Sequence, residues 1–258
     1  VICHACGTSK QAPLQCPECG SVDIAYKSVG TKTIVEKLEN MFPKAVIARF
    51  DADNEASQKL HKRIDEIKNQ SVDIIVGTQM ISKGLDLPGL AVVAVLNADS
   101  SLALPDFSAE EQLFQQLYQV TGRVGRGHID SKFFIQTSSP EHPVIQAVLQ
   151  KDYQSYYDYE ISKRKSFSYP PFAYMAVIKM HRKTAKSAES NAESIAEKLR
   201  KNKDVQVLGP SQGFYEKTKD GYQWQIILKS KKRSALLYAL EKIEQSTVTI
   251  DIDPLSTL

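Results

Sequence analysis

The chain has 258 residues, with 33 Lys and Arg against 30 Asp and Glu, 42% apolar residues and 24% charged ones. That length suggests two domains, the apolar share excludes wholesale disorder, and no apolar run approaches the roughly 18 residues of a membrane-crossing helix. Charge is unevenly spread: residues 1–150 carry a net −3 and residues 151–258 a net +6, so the second half is compatible with a polyanionic partner or simply with a solvated lysine-rich surface.

The first feature in chain order is a set of four cysteines, Cys3, Cys6, Cys16 and Cys19, and no cysteine follows them. The spacing is C-x2-C-x9-C-x2-C. Two intervening residues let a tight turn point both sulfurs at one ion, and four thiolates satisfy tetrahedral zinc. Gly7 and Gly20 follow the second cysteine of each pair, where such turns often need a positive φ. Two disulfides would need an oxidising compartment, and no basic-then-apolar leader is visible at Val1. Zinc in a closed, structural site is therefore the expectation, with His4 a solvated turn residue.

Next comes alternation of strands and helices. A helix is predicted over Thr31–Met41, with Ile34, Val35, Leu38 and Met41 at helical spacing. A strand follows over residues 45–48, then a charged amphipathic helix over 55–69. Residues 73–76 and 91–96 are dense apolar runs, as in strands covered on both faces. Ala109–Thr121 is predicted helical, with Leu113, Leu117 and Val120 on one stripe, and residues 133–136 form a further strand. Such alternation predicts a parallel sheet with helices on both faces. The Pro-Pro pair within Tyr169–Phe172 marks a boundary. Beyond it the expected order is strand 173–180, helix 187–201, strands 205–208 and 223–228, helix 234–245 and strand 247–252. That is β-α-β-β-α-β, the split βαβ or ferredoxin-like order, which by itself names no function.

Two segments carry specific residue choices. Gly77-Thr78-Gln79-Met80-Ile81-Ser82-Lys83-Gly84-Leu85-Asp86-Leu87-Pro88 follows a strand directly. Ligands of open α/β sheets bind beyond the carboxyl ends of strands, and this segment would lie there. Its glycines permit close backbone approach, and Thr78, Gln79 and Asp86 can meet phosphate or sugar. The second segment, Gln119-Val120-Thr121-Gly122-Arg123-Val124-Gly125-Arg126-Gly127, ends a predicted helix. Arg123 and Arg126 lie one turn apart and can aim two guanidinium groups at one phosphate, or else complement the helix dipole.

Together these segments resemble motifs V and VI of superfamily-2 helicases. The forms G-T-Q-M-x-x-K-G-x-D-x-P and Q-V-x-G-R-x-G-R-G are similar to those of the PriA family of primosomal replication-restart DNA helicases. The similarity runs nearly end to end, through the paired knuckles, Arg49-Phe50-Asp51-Ala52-Asp53, Leu104-Pro105-Asp106-Phe107, Tyr169-Pro170-Pro171-Phe172, Trp224-Gln225-Ile226 and Asp251-Ile252-Asp253-Pro254.

The resemblance implies an α/β fold: a zinc-knuckle segment at 1–27, a RecA-like second helicase lobe at 28–150, a linker at 151–172, and a split βαβ C-terminal domain at 173–258. It implies 3′-to-5′ DNA unwinding driven by ATP with Mg2+, at abandoned replication forks in the bacterial cytoplasm. By motif match, Gly84 and Asp86 line the nucleotide cleft. Gln119, Arg123 and Arg126 face the triphosphate, with Arg126 the arginine finger. Thr78 and Gln79 touch the DNA backbone. The family binds two zinc ions with eight interleaved cysteines, so Cys3 and Cys6 would share one ion, and Cys16 and Cys19 the other, with upstream pairs that are missing here. The C-terminal domain touches branched DNA and helps receive the acidic tail of single-stranded DNA-binding protein, alongside other primosome proteins. Gln225 falls at a tail position. The basic residue the motif places four before it is Gly221 here, with Lys219 nearby. Lys229, Lys231, Lys232 and Arg233 are the densest basic cluster and a candidate phosphate contact. Trp224 is expected in the sheet core.

No G-x-x-x-x-G-K-[ST] loop occurs and no acidic box follows an apolar strand, so this chain by itself is expected to be ATPase-inactive and cut inside the zinc-binding insertion. The competing reading is a non-enzymatic zinc-containing module that binds DNA or protein on a helicase-like scaffold. Arg123 and Arg126 separate the two, since a scaffold needs no converging guanidiniums.

Overall fold

A computed structural model describes residues 30–50, 71–78, 90–122, 131–218, 221–244 and 248–258. The chain divides into two compact units. One holds the described parts of Ala25–Leu102 and Glu111–Tyr153, the other Ala103–Glu110 and Gln154–Leu258.

In the first unit helix α1 spans Thr31–Met41, and none of its residues is buried. Strand β1 (Ile47–Phe50) pairs in parallel with β2 (Ile74–Gly77), from Ile47 opposite Ile74 to Phe50 opposite Gly77. Strand β3 (Val92–Val95) pairs in parallel with β4 (Lys132–Ile135), from Val92 opposite Lys132 to Val95 opposite Ile135. Among the described residues these are two separate two-stranded sheets, where the apolar runs predicted one sheet covered on both faces. Val92 and Phe134 are exposed on β3 and β4. The β-branched density of 91–96 thus reflects strand propensity rather than double coverage. A short helix α2 (Asp99–Leu102) follows β3.

Helix α3 spans Ala109–Thr121. It buries Leu113 and Leu117 as predicted, but Phe114 rather than Val120 completes the stripe, stacking on Tyr118 with ring centroids 5.2 Å apart. Helix α4 (Pro143–Gln150) buries Val144, Ile145, Ala147 and Val148. His142 caps its start, Nδ1 accepting the Val144 N–H at 3.3 Å, and Pro143 at the first turn sacrifices no bonded N–H.

The second unit contains helix α5 (Tyr153–Ser166), which lies in the segment read as a linker. It buries Tyr156 and Glu160, one turn apart. Four tyrosines with polar tips and no aliphatic stripe leave such a helix without a readable period.

The remaining order is β5 (Tyr174–Arg182), α6 (Ala185–Arg200), β6 (Gln206–Thr218), β7 (Gly221–Ser230), α7 (Arg233–Glu241) and β8 (Thr249–Ile252). The sheet order is β6-β7-β5-β8, and its pairings are all antiparallel. One face carries Ala176, Ile178, Met180, Ile226 and Leu228, packed with apolar residues of α6 and α7. Trp224 is partly buried against the same cluster. The other face carries Met175, Val177 and Ile227, with Phe107, Tyr169 and Leu208 against them.

Both strands of the β6–β7 hairpin run longer than predicted, because β6 is interrupted by irregularities between Leu208 and Ser211 and between Gln212 and Lys217. Such interruptions break the two-residue alternation from which a strand is read. Gly221 opens β7 at φ 118°, and a Cβ there would run into the Arg182 carbonyl oxygen. A basic side chain at this position is therefore incompatible with the hairpin as it is built.

Candidate functional site

The carboxyl ends of β1 and β2 lie side by side because the strands are parallel and in register. Thr78 follows β2 at that end. It is exposed, and its N–H donates to the Phe50 carbonyl at 3.2 Å. Gln79, Gly84 and Asp86 lie outside the described residues. Gln119 sits on the last turn of α3 and is exposed. The helix ends where the Thr121 hydroxyl donates to the Tyr118 carbonyl at 2.8 Å and the Gly122 N–H to the same oxygen at 3.2 Å. Arg123 and Arg126 follow this end and lie outside the described residues, as do Cys3, Cys6, Cys16 and Cys19. Among the described residues no cluster of His, Cys, Asp and Glu could hold a metal ion, and no helix is long and apolar enough to cross a membrane.

At the carboxyl ends of β3 and β4 the structure adds a polar cluster that was not singled out from the sequence. Asp99 accepts the Thr137 hydroxyl at 2.8 Å, the Ser138 N–H at 2.9 Å and the Ser138 hydroxyl at 3.1 Å. Desolvation pushes its carboxyl up, but these hydrogen bonds, led by the Ser138 N–H, outweigh it and hold the group below its ordinary range,. A Thr-Ser pair directly after an apolar strand was the available signal. The cluster ties the ends of two parallel strands together, and its carboxylate is already occupied.

In the second unit Gln225 is almost fully buried, at 2% exposure. In register it lies between Lys179 of β5 and Ser211 of β6. The Lys179 ammonium donates to the Leu258 carbonyl at 2.7 Å. Gln225 thus belongs to a polar row inside the sheet face.

The basic cluster is not one surface. Lys229 is 5% exposed. Its ammonium donates to the Phe167 carbonyl at 2.9 Å and lies 3.5 Å from the centre of the Tyr169 ring. Desolvation lowers its pKa to about 8. Lys229 is therefore a buried structural cation, not a solvent-facing phosphate contact, because its alternation on β7 turns it toward Tyr169. Arg233 is exposed but pairs with Asp253 at 3.0 Å. Lys231 and Lys232 are exposed and carry the phosphate-facing potential of the cluster.

A cavity of about 360 Å³ lies between α6 and α7, bordered by Lys198, Lys201 and Lys242. These lysines sit at the C-terminal ends of the two helices, where cations complement the dipoles. No sequence-derived site residue lines it.

Residues 22–128 match the helicase conserved C-terminal domain, and residues 165–255 match the primosomal protein N C-terminal domain. Replication restart protein PriA of Bacillus subtilis is 37% identical over 262 residues, covering 97% of this chain and 32% of that protein. The protein of the same name from Synechocystis is 35% identical over 263 residues, covering 98% of this chain and 32% of its own length. That of Haemophilus influenzae is 34% identical over 263 residues, covering 98% and 36%. The chain spans about a third of the length of these curated relatives.

Proposed function

Because the chain belongs to the PriA family of replication restart proteins, we propose that it forms the arginine-bearing motor lobe and the C-terminal domain of an ATP-driven 3′-to-5′ DNA helicase. The observation that carries this reading is that the helicase domain match over residues 22–128 contains both the Gly77–Pro88 segment and the Gln119–Arg126 segment. In this reading residues 28–150 are a RecA-like lobe behind a zinc-knuckle segment at 1–27. Residues 173–258 are a split βαβ domain, which the observed strand order supports, joined through the segment 151–172.

ATP with Mg2+ supplies the phosphoryl group whose transfer to water drives movement. Arg126, as arginine finger, and Arg123 offset the charge that develops in that transfer, a role worth roughly 10³–10⁵ in rate in related hydrolases. Gln119, at the end of α3, orients the triphosphate side. Gly84 and Asp86 line the nucleotide, and Thr78 and Gln79 meet the DNA backbone. Thr78 suits that role because it is exposed at the carboxyl end of a parallel strand,. Cys3, Cys6, Cys16 and Cys19 supply half of the ligands of two structural zinc ions.

Lys231 and Lys232 contact DNA phosphates, and Gln225 contributes to a site for the acidic tail of single-stranded DNA-binding protein. Gln225 does so from within the sheet face, since it is buried. Branched DNA and other primosome proteins are the further partners, in the bacterial cytoplasm.

The test is Arg126→Ala in the full-length protein. ATP hydrolysis stimulated by single-stranded DNA is expected to fall at least 10³-fold, roughly the worth of an arginine finger, while DNA binding stays intact. Unchanged turnover would favour a non-enzymatic binding module. Residues 1–258 by themselves are expected to release no phosphate in a malachite-green assay, and robust turnover would refute the division of the site between two lobes.

A further inference from the structure

Segment Ala103–Glu110 lies in sequence within the helicase-domain match, yet it groups with the C-terminal unit. Three of its side chains are anchored there. Phe107 packs on the sheet face with Met175, Val177 and Ile227. Its ring stacks on Tyr169 with centroids 5.2 Å apart and planes 18° apart. The Arg164 guanidinium lies 5.3 Å from the Phe107 ring centre, and the Lys229 ammonium lies 3.5 Å from the Tyr169 ring centre. Arg164, Phe107, Tyr169 and Lys229 thus form one continuous column of cations and rings. Arg164 is itself held by Glu160 at 2.6 Å and by the Pro170 carbonyl at 2.9 Å.

The second anchor is Asp106. Its Oδ1 accepts the Ser108 N–H at 3.0 Å, and its Oδ2 accepts the Ser256 hydroxyl and the Thr257 N–H. The third is Glu110, paired with Lys163 at 2.5 Å. Desolvation, with the negative charge and hydrogen bond of Glu110, raises the neighbouring Tyr159 hydroxyl to about 12.

Helix α3 begins inside this segment at Ala109 and runs unbroken to Thr121. A helix of that length is a stiff rod of roughly 20 Å at 1.5 Å per residue. Gln119 lies on its last turn, and Arg123 follows directly in sequence. We infer that Asp106, Phe107 and Glu110 are positioning residues for the arginine motif, and that their anchorage in the C-terminal unit holds the start of α3 and thereby its end. This rests on the arginine-lobe reading given above. It makes the C-terminal domain a determinant of ATP turnover and not only of DNA and partner contact.

The experiment compares Phe107→Ala, Phe107→Tyr, Lys163→Met and Lys163→Arg in the full-length protein. It reads kcat and KM for ATP with single-stranded DNA, and amide hydrogen exchange across α3, β5 and β7. Phe107→Ala is expected to lower kcat about tenfold with KM for ATP within about twofold, the pattern of a lost transition-state alignment. Exchange should quicken in residues 111–121 while β5 and β7 stay protected. Phe107→Tyr keeps the column and should retain turnover. Lys163→Met should lower kcat about threefold, and Lys163→Arg should restore it. Lys163 is partly exposed, so its variants decide the matter if Phe107→Ala loosens the sheet. Unchanged kcat and unchanged α3 exchange in Lys163→Met and in a folded Phe107→Ala would overturn the inference. Turnover that survives Arg126→Ala would instead overturn the arginine-lobe reading, while the exchange data still judge the anchorage.

Discussion

Lys229 is an ionisable group whose environment works against its charge. Desolvation lowers its pKa to about 8, against roughly 10.4 in an unfolded chain. Between these values the unfolded state binds more protons than the folded one, so stability contributed at this site rises with pH across that window. Below about pH 8 both states are protonated and the burial cost is fully present. Relative to Lys229→Met, the wild-type melting temperature is therefore expected to climb between pH 7.5 and 9.5. Tyr159, raised to about 12, stays protonated in both comparisons over that range. A gap that does not change with pH would mean the ammonium is hydrated. Gly221 makes the opposite kind of point, since its backbone conformation and the Arg182 carbonyl exclude any side chain. The departure from the family pattern at this position is thus set by the turn.

At the level of elements, helix ends follow local chemistry. Thr184 caps α6, its hydroxyl accepting the Ser187 N–H at 3.2 Å. Thr184→Ala should cost about 1 kcal/mol in urea unfolding, and Thr184→Ser should recover most of it. An unchanged midpoint would mean α6 is held by packing through Ala188, Ala192 and Ala196 instead. Helices α1 and α3 were legible to the residue, since their apolar spacing covers three turns. Helix α4 was not, because eight residues are too short for a period to stand out,. Helix α5 was not, because its buried pair is one tyrosine and one glutamate. The site was legible to a similar degree. The two motif segments announce themselves by residue choice, whereas Asp99 with its Thr137 and Ser138 partners joins residues 38 and 39 positions apart. The basic cluster looked uniform in sequence, and strand alternation then separated buried Lys229 from exposed Lys231.

For the whole molecule, the net +6 of residues 151–258 becomes a phosphate-facing surface only where the cations reach solvent. Lys231 and Lys232 do so, while Lys229 does not and Arg233 is paired. Replacing Lys231 and Lys232 with alanine should weaken single-stranded DNA binding and reduce the log–log salt slope by about 1.4, roughly 0.7 for each phosphate released. Fluorescence anisotropy across a salt series measures it, and an unchanged slope would place the DNA elsewhere. Lys229→Met should leave that slope unchanged.

The sequence by itself determined the helicase motifs, the two-part organisation and the longer helices, because these depend on residue choice and spacing within a few turns of chain. The tertiary structure alone decided which cations are buried, the sheet order, and the capture of Phe107 and Asp106 by the C-terminal unit. The physical reason is separation along the chain. Lys229 meets the Phe167 carbonyl across 62 positions and Asp106 meets Ser256 across 150. Contacts of that range exist only after the chain has closed on itself, and local periodicity carries no trace of them.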